Sequence, residues 1–119
     1  MEFDNINEIA GYWYSEEPFN FDNKKGNLIK FEPNNKVTFF YNDNTKKSYD
    51  LTIDKDYGCL YFSKLNTSDE ISFTIRDIEL KKISLIINNI KYSYGYDFKK
   101  ISNDEASKKI NEIKLMNKN

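Results

Sequence analysis

The 119-residue chain contains no histidine, one cysteine, two prolines and four glycines, and Arg76 is its only arginine. Each shortage excludes something. Without histidine the commonest general base and the commonest metal ligand are missing. A single cysteine can form neither an internal disulfide nor a structural zinc site. His-dependent hydrolases, zinc enzymes and Cys–His nucleophiles are set aside on composition alone. With one guanidinium, the chain also has almost none of the bidentate donors that nucleic-acid and phosphate sites favour. No apolar run approaches the ~18–20 residues of a membrane span. The opening Met1-Glu2-Phe3-Asp4-Asn5 is acidic and has no apolar core of the kind a secretory leader needs. A cytoplasmic protein is the expectation, although a chain trimmed of its leader would read the same.

What is present is charge in balance and many aromatic rings. Eighteen basic and 19 acidic residues leave a net charge of −1, so no strong field draws the protein to nucleic acid or anionic lipid. The abundance of Asn, Lys and Ile reads as the bias of an AT-rich genome rather than as a mark of function. Nine Tyr, nine Phe and one Trp make 16% of the chain aromatic, enough for a core without covalent staples. The length fits one domain, 1–119.

Period-two alternation runs from Gly11 to Phe98 and predicts eight strands. A short helical turn around Asn5–Ala10 leads into a strand at Tyr12-Trp13-Tyr14, and a long polar loop is expected from Ser15 to Asn27. Ile29 and Phe31 then share one face, as do Val37, Phe39 and Tyr41, Tyr49, Leu51 and Ile53, and Leu60 and Phe62. Pro33-Asn34-Asn35 and Asn42-Asp43-Asn44 are turn signals, because Asn tolerates positive φ. Ile71, Phe73 and Ile75 continue the pattern until it slips at Asp77, where Ile78 and Leu80 take the other parity and a bulge or strand end is expected. Ile83, Leu85 and Ile87 precede a hairpin signal at Asn88-Asn89. Tyr92, Tyr94, Tyr96 and Phe98 then alternate with polar residues. The period changes after residue 101: Ser102-Asn103-Asp104-Glu105 is a capping box, with acids leading and lysines trailing as the macrodipole favours. Ala106, Ile110 and Ile113 make a narrow apolar stripe, which predicts a helix over 102–117 lying on the outer wall of the sheet.

Eight consecutive strands with short turns predict an all-β, single antiparallel up-and-down barrel over 11–101, with a two-sheet sandwich as the alternative. Ile9-Ala10-Gly11-Tyr12-Trp13, followed by this strand order and a final aromatic strand, resembles the Gly-x-Trp start of lipocalin-like proteins and their small bacterial members. The resemblance covers residues 9–101 and extends to a helix after the last strand. It implies that Trp13 closes one end of the barrel, that the first loop crosses the open end, and that a small hydrophobic or aromatic ligand is carried inside. The absence of a disulfide and of a leader departs from transport lipocalins. The short predicted strands point to a squat barrel.

By alternation the inward face carries Trp13, Phe31, Phe39, Tyr41, Tyr49, Phe62, Phe73, Tyr92, Tyr94, Tyr96 and Phe98. An eight-stranded barrel is just wide enough to be filled by side chains or to hold one small ligand, so this crowd predicts a mostly filled interior. Tyr92, Tyr94 and Tyr96 leave open a small polar-aromatic pocket, because buried hydroxyls need partners. The Ser15–Asn27 segment is the leading functional candidate. Glu16, Glu17 and Asp22 make it acidic, and Phe19 and Phe21 either plug the barrel or anchor a partner ringed by carboxylates. Cys59 reads as a small buried hydrophobe. The lysine pairs at 24–25, 46–47, 81–82, 99–100 and 108–109 read as solvated surface. The acidic pairs Asp54/Asp56, Asp69/Glu70 and Asp77/Glu79 lack a calcium-loop pattern, and there is no Gly-rich phosphate loop.

The functional expectation is a non-enzymatic binding protein without cofactor or metal. Its partner is a protein with a basic surface; an immunity protein covering a bacterial toxin domain is the concrete version. The alternative is a carrier or sensor of a small hydrophobic or aromatic ligand.

Overall fold

The computed structural model describes residues 9–21, 23–54, 59–62, 70–77, 82–88 and 93–118, with side chains described over 9–50 (22 apart) and 95–118. The fold is mostly antiparallel β-sheet with one C-terminal helix. The strands are β1 (Gly11–Phe21), β2 (Lys24–Glu32), β3 (Lys36–Tyr41), β4 (Lys46–Asp54), β5 (Cys59–Phe62), β6 (Glu70–Asp77), β7 (Lys82–Asn88) and β8 (Ser93–Ile101), and the helix is α1 (Asn103–Met116). Each strand pairs with the next, and β1 pairs with β8 through Tyr12↔Ile101, Trp13↔Lys100 and Tyr14↔Lys99. The slip expected at Asp77 is present as a register shift between Ile75 and Asp77. The expected turn at Asn5–Ala10 lies largely outside the described residues.

The turns follow from asparagine chemistry. Asn23, Asn35 and Asn44 take φ values of 61°, 60° and 69°, a left-handed conformation whose strain Asn tolerates better than other L-residues.

The expected loop over Ser15–Asn27 is corrected by the structure. The segment forms the second half of β1 and the start of β2, with Phe21 paired to Lys24. Alternation hid this because β1 carries extra residues: Tyr14 pairs with Leu28, but Phe19 pairs with Gly26. Ser15-Glu16-Glu17-Pro18 therefore stand opposite Asn27 alone, as an enlarged bulge. Pro18 has no N–H for a ladder and is tolerated there. The Asn27 side-chain amide donates to the Ser15 and Glu16 carbonyls at 2.9 and 3.4 Å, and the Asn42 amide donates to Asn27 Oδ1 at 3.1 Å. Ser15 Oγ donates to the Glu17 carbonyl at 2.7 Å. The carbonyls of Ser15, Glu16 and Glu17 in the bulge thus accept from side chains. At eleven residues β1 is longer than the strand expected at Tyr12-Trp13-Tyr14, whereas β3 and β5 are short at six and four residues.

One face of the sheet is an aromatic core. Trp13, Phe19, Phe21, Ile29, Phe31, Val37, Phe39, Tyr41, Tyr49, Tyr96 and Phe98 are all buried. Phe19 meets Phe39 at 5.4 Å between ring centroids and Phe98 at 6.1 Å; Phe21 meets Phe39 at 5.3 Å and Tyr49 at 5.4 Å. All four are tilted or edge-on, the arrangements that the ring quadrupole favours. Gly26 makes this possible: a Cβ there would lie 2.5 Å from the Phe40 carbonyl oxygen and 2.8 Å from Phe19 Cζ. At the start of β1, Trp13 Nε1 donates to the Ile9 carbonyl at 2.9 Å. Lys100 Nζ donates to the Ala10 carbonyl at 2.7 Å and lies 5.9 Å from the Trp13 ring.

The opposite face carries α1. Ser102 caps it, its hydroxyl accepting from the Glu105 N–H at 3.1 Å, and Asp104 and Glu105 occupy the first turn; such a cap contributes about 1 kcal/mol. Ala106 is fully buried with Leu28 and Ile101, and Tyr12, Tyr14, Phe40 and Ile110 pack around them. Lys109 Nζ lies 3.8 Å from the centroid of the Tyr14 ring.

Two substitutions test this packing. Phe19→Ala removes a fully buried ring and is expected to cost about 3–5 kcal/mol. Gly26→Ala drives a methyl group into a backbone carbonyl and is expected to cost about 1–3 kcal/mol. Chemical denaturation reads both; a Phe19→Ala variant as stable as the parent would contradict the core described here.

Candidate functional site

The residues singled out as a binding loop do not form one surface. Phe19 and Phe21 are each 0% exposed and belong to the aromatic core, on a strand rather than on a loop across a barrel end. Glu16 and Glu17 sit on the bulge and face solvent, with Glu16 3.8 Å from Lys99 Nζ. Tyr96 is buried on the core face. Asp22, Tyr92 and the Tyr94 side chain lie outside the described residues, as does the Cys59 side chain. The bulge therefore presents carboxylates without their expected aromatic neighbours, because period two returns after Pro18 and turns both phenylalanines inward.

A second surface lies on the helix-bearing face. Cross-strand pairing lines up Tyr12, Lys30, Thr38 and Ser48 in one row, and Tyr14, Leu28, Phe40 and Lys46 in the next. α1 covers the Leu28 end of the second row. Beside it remains a groove of about 560 Å³, walled by Tyr12, Thr38, Phe40 and Ser48 on the sheet and by Ile110, Ile113 and Lys114 on the helix. This volume is in the range of small-ligand sites, ~300–1,000 Å³. Tyr12 and Phe40 are tilted at 5.9 Å. Lys30 Nζ stands 5.1 Å from the Tyr12 ring centroid and 3.7 Å from Glu32 Oε1. The Thr38 and Ser48 hydroxyls share a hydrogen bond at 2.8 Å. The far end of α1 is tied down by Asn117 Nδ2, which donates to the Asn42 carbonyl at 2.8 Å.

The turn between β3 and β4 closes one end of this groove through Asn44 and Thr45. Lys24 Nζ reaches Asp43 Oδ2 at 3.2 Å and Thr45 Oγ1 at 2.8 Å. The Thr45 hydroxyl and amide both donate to Asp43 Oδ1. The Thr45 hydroxyl is the main reason the Asp43 carboxyl titrates below the ordinary aspartate range, with Lys24 adding to the effect.

Sequence reasoning placed Tyr12 in a strand, Asn44 in a turn, Lys46 on the surface and Ile110 and Ile113 in the helix stripe, but assigned none of them to a groove. A signal was available: Leu28-Ile29 and Phe39-Phe40 are apolar doublets, and Tyr12-Trp13-Tyr14 is an aromatic triplet, so both sheet faces are apolar there. Among the described residues, no cluster of three or more Cys, Asp and Glu could hold a metal ion, and no helix is long and apolar enough to cross a membrane. No protein-family model matches the chain, and no curated protein and no solved structure matches it either.

The turn predicts a pH dependence. Because the folded-state pKa of Asp43 is depressed, its contribution is present above the ordinary aspartate value and is lost as pH falls through the lower folded value. NMR titration is expected to place the Asp43 midpoint below that of an unstructured peptide. Thr45→Val is expected to raise it; a midpoint unmoved by that substitution would remove the hydroxyl as cause.

Proposed function

We propose that this chain is a non-enzymatic β-barrel binding protein that engages a protein partner through its outer wall. In this reading the sheet closes as an eight-stranded up-and-down barrel of lipocalin-like type. Support for closure comes from the chain-order pairing of the strands together with the β1–β8 pairing. Support for the lipocalin-like likeness comes from Gly11-Tyr12-Trp13 at the head of the strand that makes that pairing. The observation that carries the outer-wall reading is the packing of Phe19, Phe21, Phe39, Tyr41, Tyr49 and Phe98 ring against ring on the core face. A carrier needs that space for its ligand.

The bulge is the wall segment best suited to a basic partner. It exposes Glu16 and Glu17 on backbone clamped by Asn27, so two carboxylates are presented to solvent from a fixed stretch of main chain. A toxin domain with a cationic active-site cleft is the concrete form of such a partner, and the chain would act on it as an immunity protein.

Two experiments test this. Titration with the neutral fluorophore phenyl-naphthylamine is expected to show no saturable uptake; one-to-one uptake would replace the reading with that of an internal carrier. Co-expression with the product of the adjacent gene is expected to restore growth that the product alone arrests. Glu16→Lys with Glu17→Lys should abolish that rescue while changing stability by less than about 0.5 kcal/mol. Rescue unaffected by the double charge reversal would remove the bulge as the contact.

A further inference from the structure

We infer that the groove between α1 and the helix-bearing face of β1–β4 is a binding site for a small aromatic anion: a flat apolar body bearing one carboxylate, sulfonate or phosphate group. Three features of the groove suit such a ligand. Its volume is about 560 Å³, which suits a molecule of one or two rings rather than a polypeptide segment. Its wall contains a tilted Tyr12–Phe40 pair at 5.9 Å, extended by Ile110 from the helix, and this pairing of ring faces and aliphatic carbon suits a flat ring. Among the described residues its rim carries Lys30, Lys46 and Lys114 against one carboxylate, that of Glu32.

The charge count decides the ligand's sign. Glu32 is already engaged by Lys30 at 3.7 Å, leaving Lys46 and Lys114 on opposite walls, one from β4 and one from α1. A cation would face this pair at a Coulombic cost, and a neutral ring would leave it unused. An anionic group would gain charge-assisted hydrogen bonds, which are about twice as strong as neutral ones. The Thr38–Ser48 hydroxyl pair at 2.8 Å offers one further donor at the floor, since one of its two protons is not used within the pair.

The groove exists before any ligand arrives. α1 is fastened at one end by Ala106, buried against Leu28 and Ile101, and at the other by Asn117 on the Asn42 carbonyl. Ile110 and Ile113 lie between these two fixed points, so binding requires no rearrangement of the helix.

The test is fluorescence titration of the intact chain with anilinonaphthalene sulfonate, an aromatic monoanion, alongside neutral phenyl-naphthylamine. Saturable one-to-one binding of the anion is expected, weakened by added salt. Lys46→Gln with Lys114→Gln is expected to weaken it about tenfold, the loss of charge-assisted contacts. Phe40→Leu should weaken it several-fold, while Leu115→Ser with Met116→Ser, which removes the exposed apolar residues at the helix end, should leave it unchanged. Amide shifts on binding should centre on Tyr12, Thr38, Phe40 and Ile110. Absence of saturation, equal binding by the lysine variant, or loss confined to the Leu115/Met116 variant would each overturn the inference. The outcome is separable from that of the protein-partner reading. The rescue assay depends on Glu16 and Glu17, whereas anion binding depends on Lys46, Lys114 and Phe40.

Discussion

The Phe19 ring rests on Gly26, and the arrangement of the aromatic core depends on that contact. The two are direct cross-strand partners, and Gly26 leaves no room for even a methyl group between the ring and the backbone beneath it. Placing Phe19 there requires β1 to run out of step with β2 by the residues of the bulge. Phe19 and Phe21 keep the parity of Trp13, and it is β2 that changes phase at Asn27, bringing Gly26 opposite both Phe19 and Tyr41. From that position Phe19 touches rings from β3 and β8, and Phe21 touches rings from β3 and β4. One glycine and one bulge therefore join four strands into a single packed face. Asn27 is the third component, since it answers the carbonyls that the bulge takes out of the ladder.

Much of this was legible in the pattern of residues, and the failure is localised. Strict alternation identified Trp13, Phe31, Phe39, Tyr41, Tyr49, Tyr96 and Phe98 as one face, and each is buried. The asparagine turns after Phe31 and Tyr41 were legible because a positive φ has few chemical solutions. The helix was legible from its cap: Ser102 lies immediately before the first helical residue and Asn117 immediately after the last. Ser15–Asn27 was not legible, because period-two reading assumes one residue per rung. The run Ser15-Glu16-Glu17-Pro18 breaks that assumption with two acids and a proline. Phe19-x-Phe21 is itself an alternating pair, but its neighbours made it look like a loop. The groove was hidden for another reason. Its residues come from four strands and a helix, and only the cross-strand register brings them into rows.

The correction at Ser15–Asn27 changes what the surface can offer. As a loop, that segment would combine carboxylates with aromatic anchors in one epitope. As a bulged strand, it separates them by sending the rings to the core and the carboxylates to solvent. Along this segment the carboxylates of Glu16 and Glu17 and the rings of Phe19 and Phe21 thus lie on different surfaces. Glu16 and Glu17 stand on the bulge, while the partly exposed rings Tyr12 and Phe40 lie beneath the helix among lysines. A surface that is acidic without rings suits electrostatic steering more than a deep anchor. A surface with rings and cations suits a compact anionic ligand.

The helix explains why the second surface exists at all. Apolar doublets in β2 and β3 make the helix-bearing face too apolar to leave bare, so something must cover it. α1 has only a narrow stripe with which to do so. Ala106 is small enough for close approach over Leu28 and Ile101, but the larger Ile110 and Ile113 cannot come as near to the sheet. The helix therefore covers the Tyr14–Leu28 end and stands away from the Tyr12–Lys30–Thr38–Ser48 row, where the sheet residues are themselves part polar and tolerate water. A mismatch between one wide apolar face and one narrow helical stripe leaves a groove whose floor is mixed and whose ends are fixed. Packing alone accounts for its position. The lysines on its two walls are not required by that packing, and they are what give the groove a chemical preference.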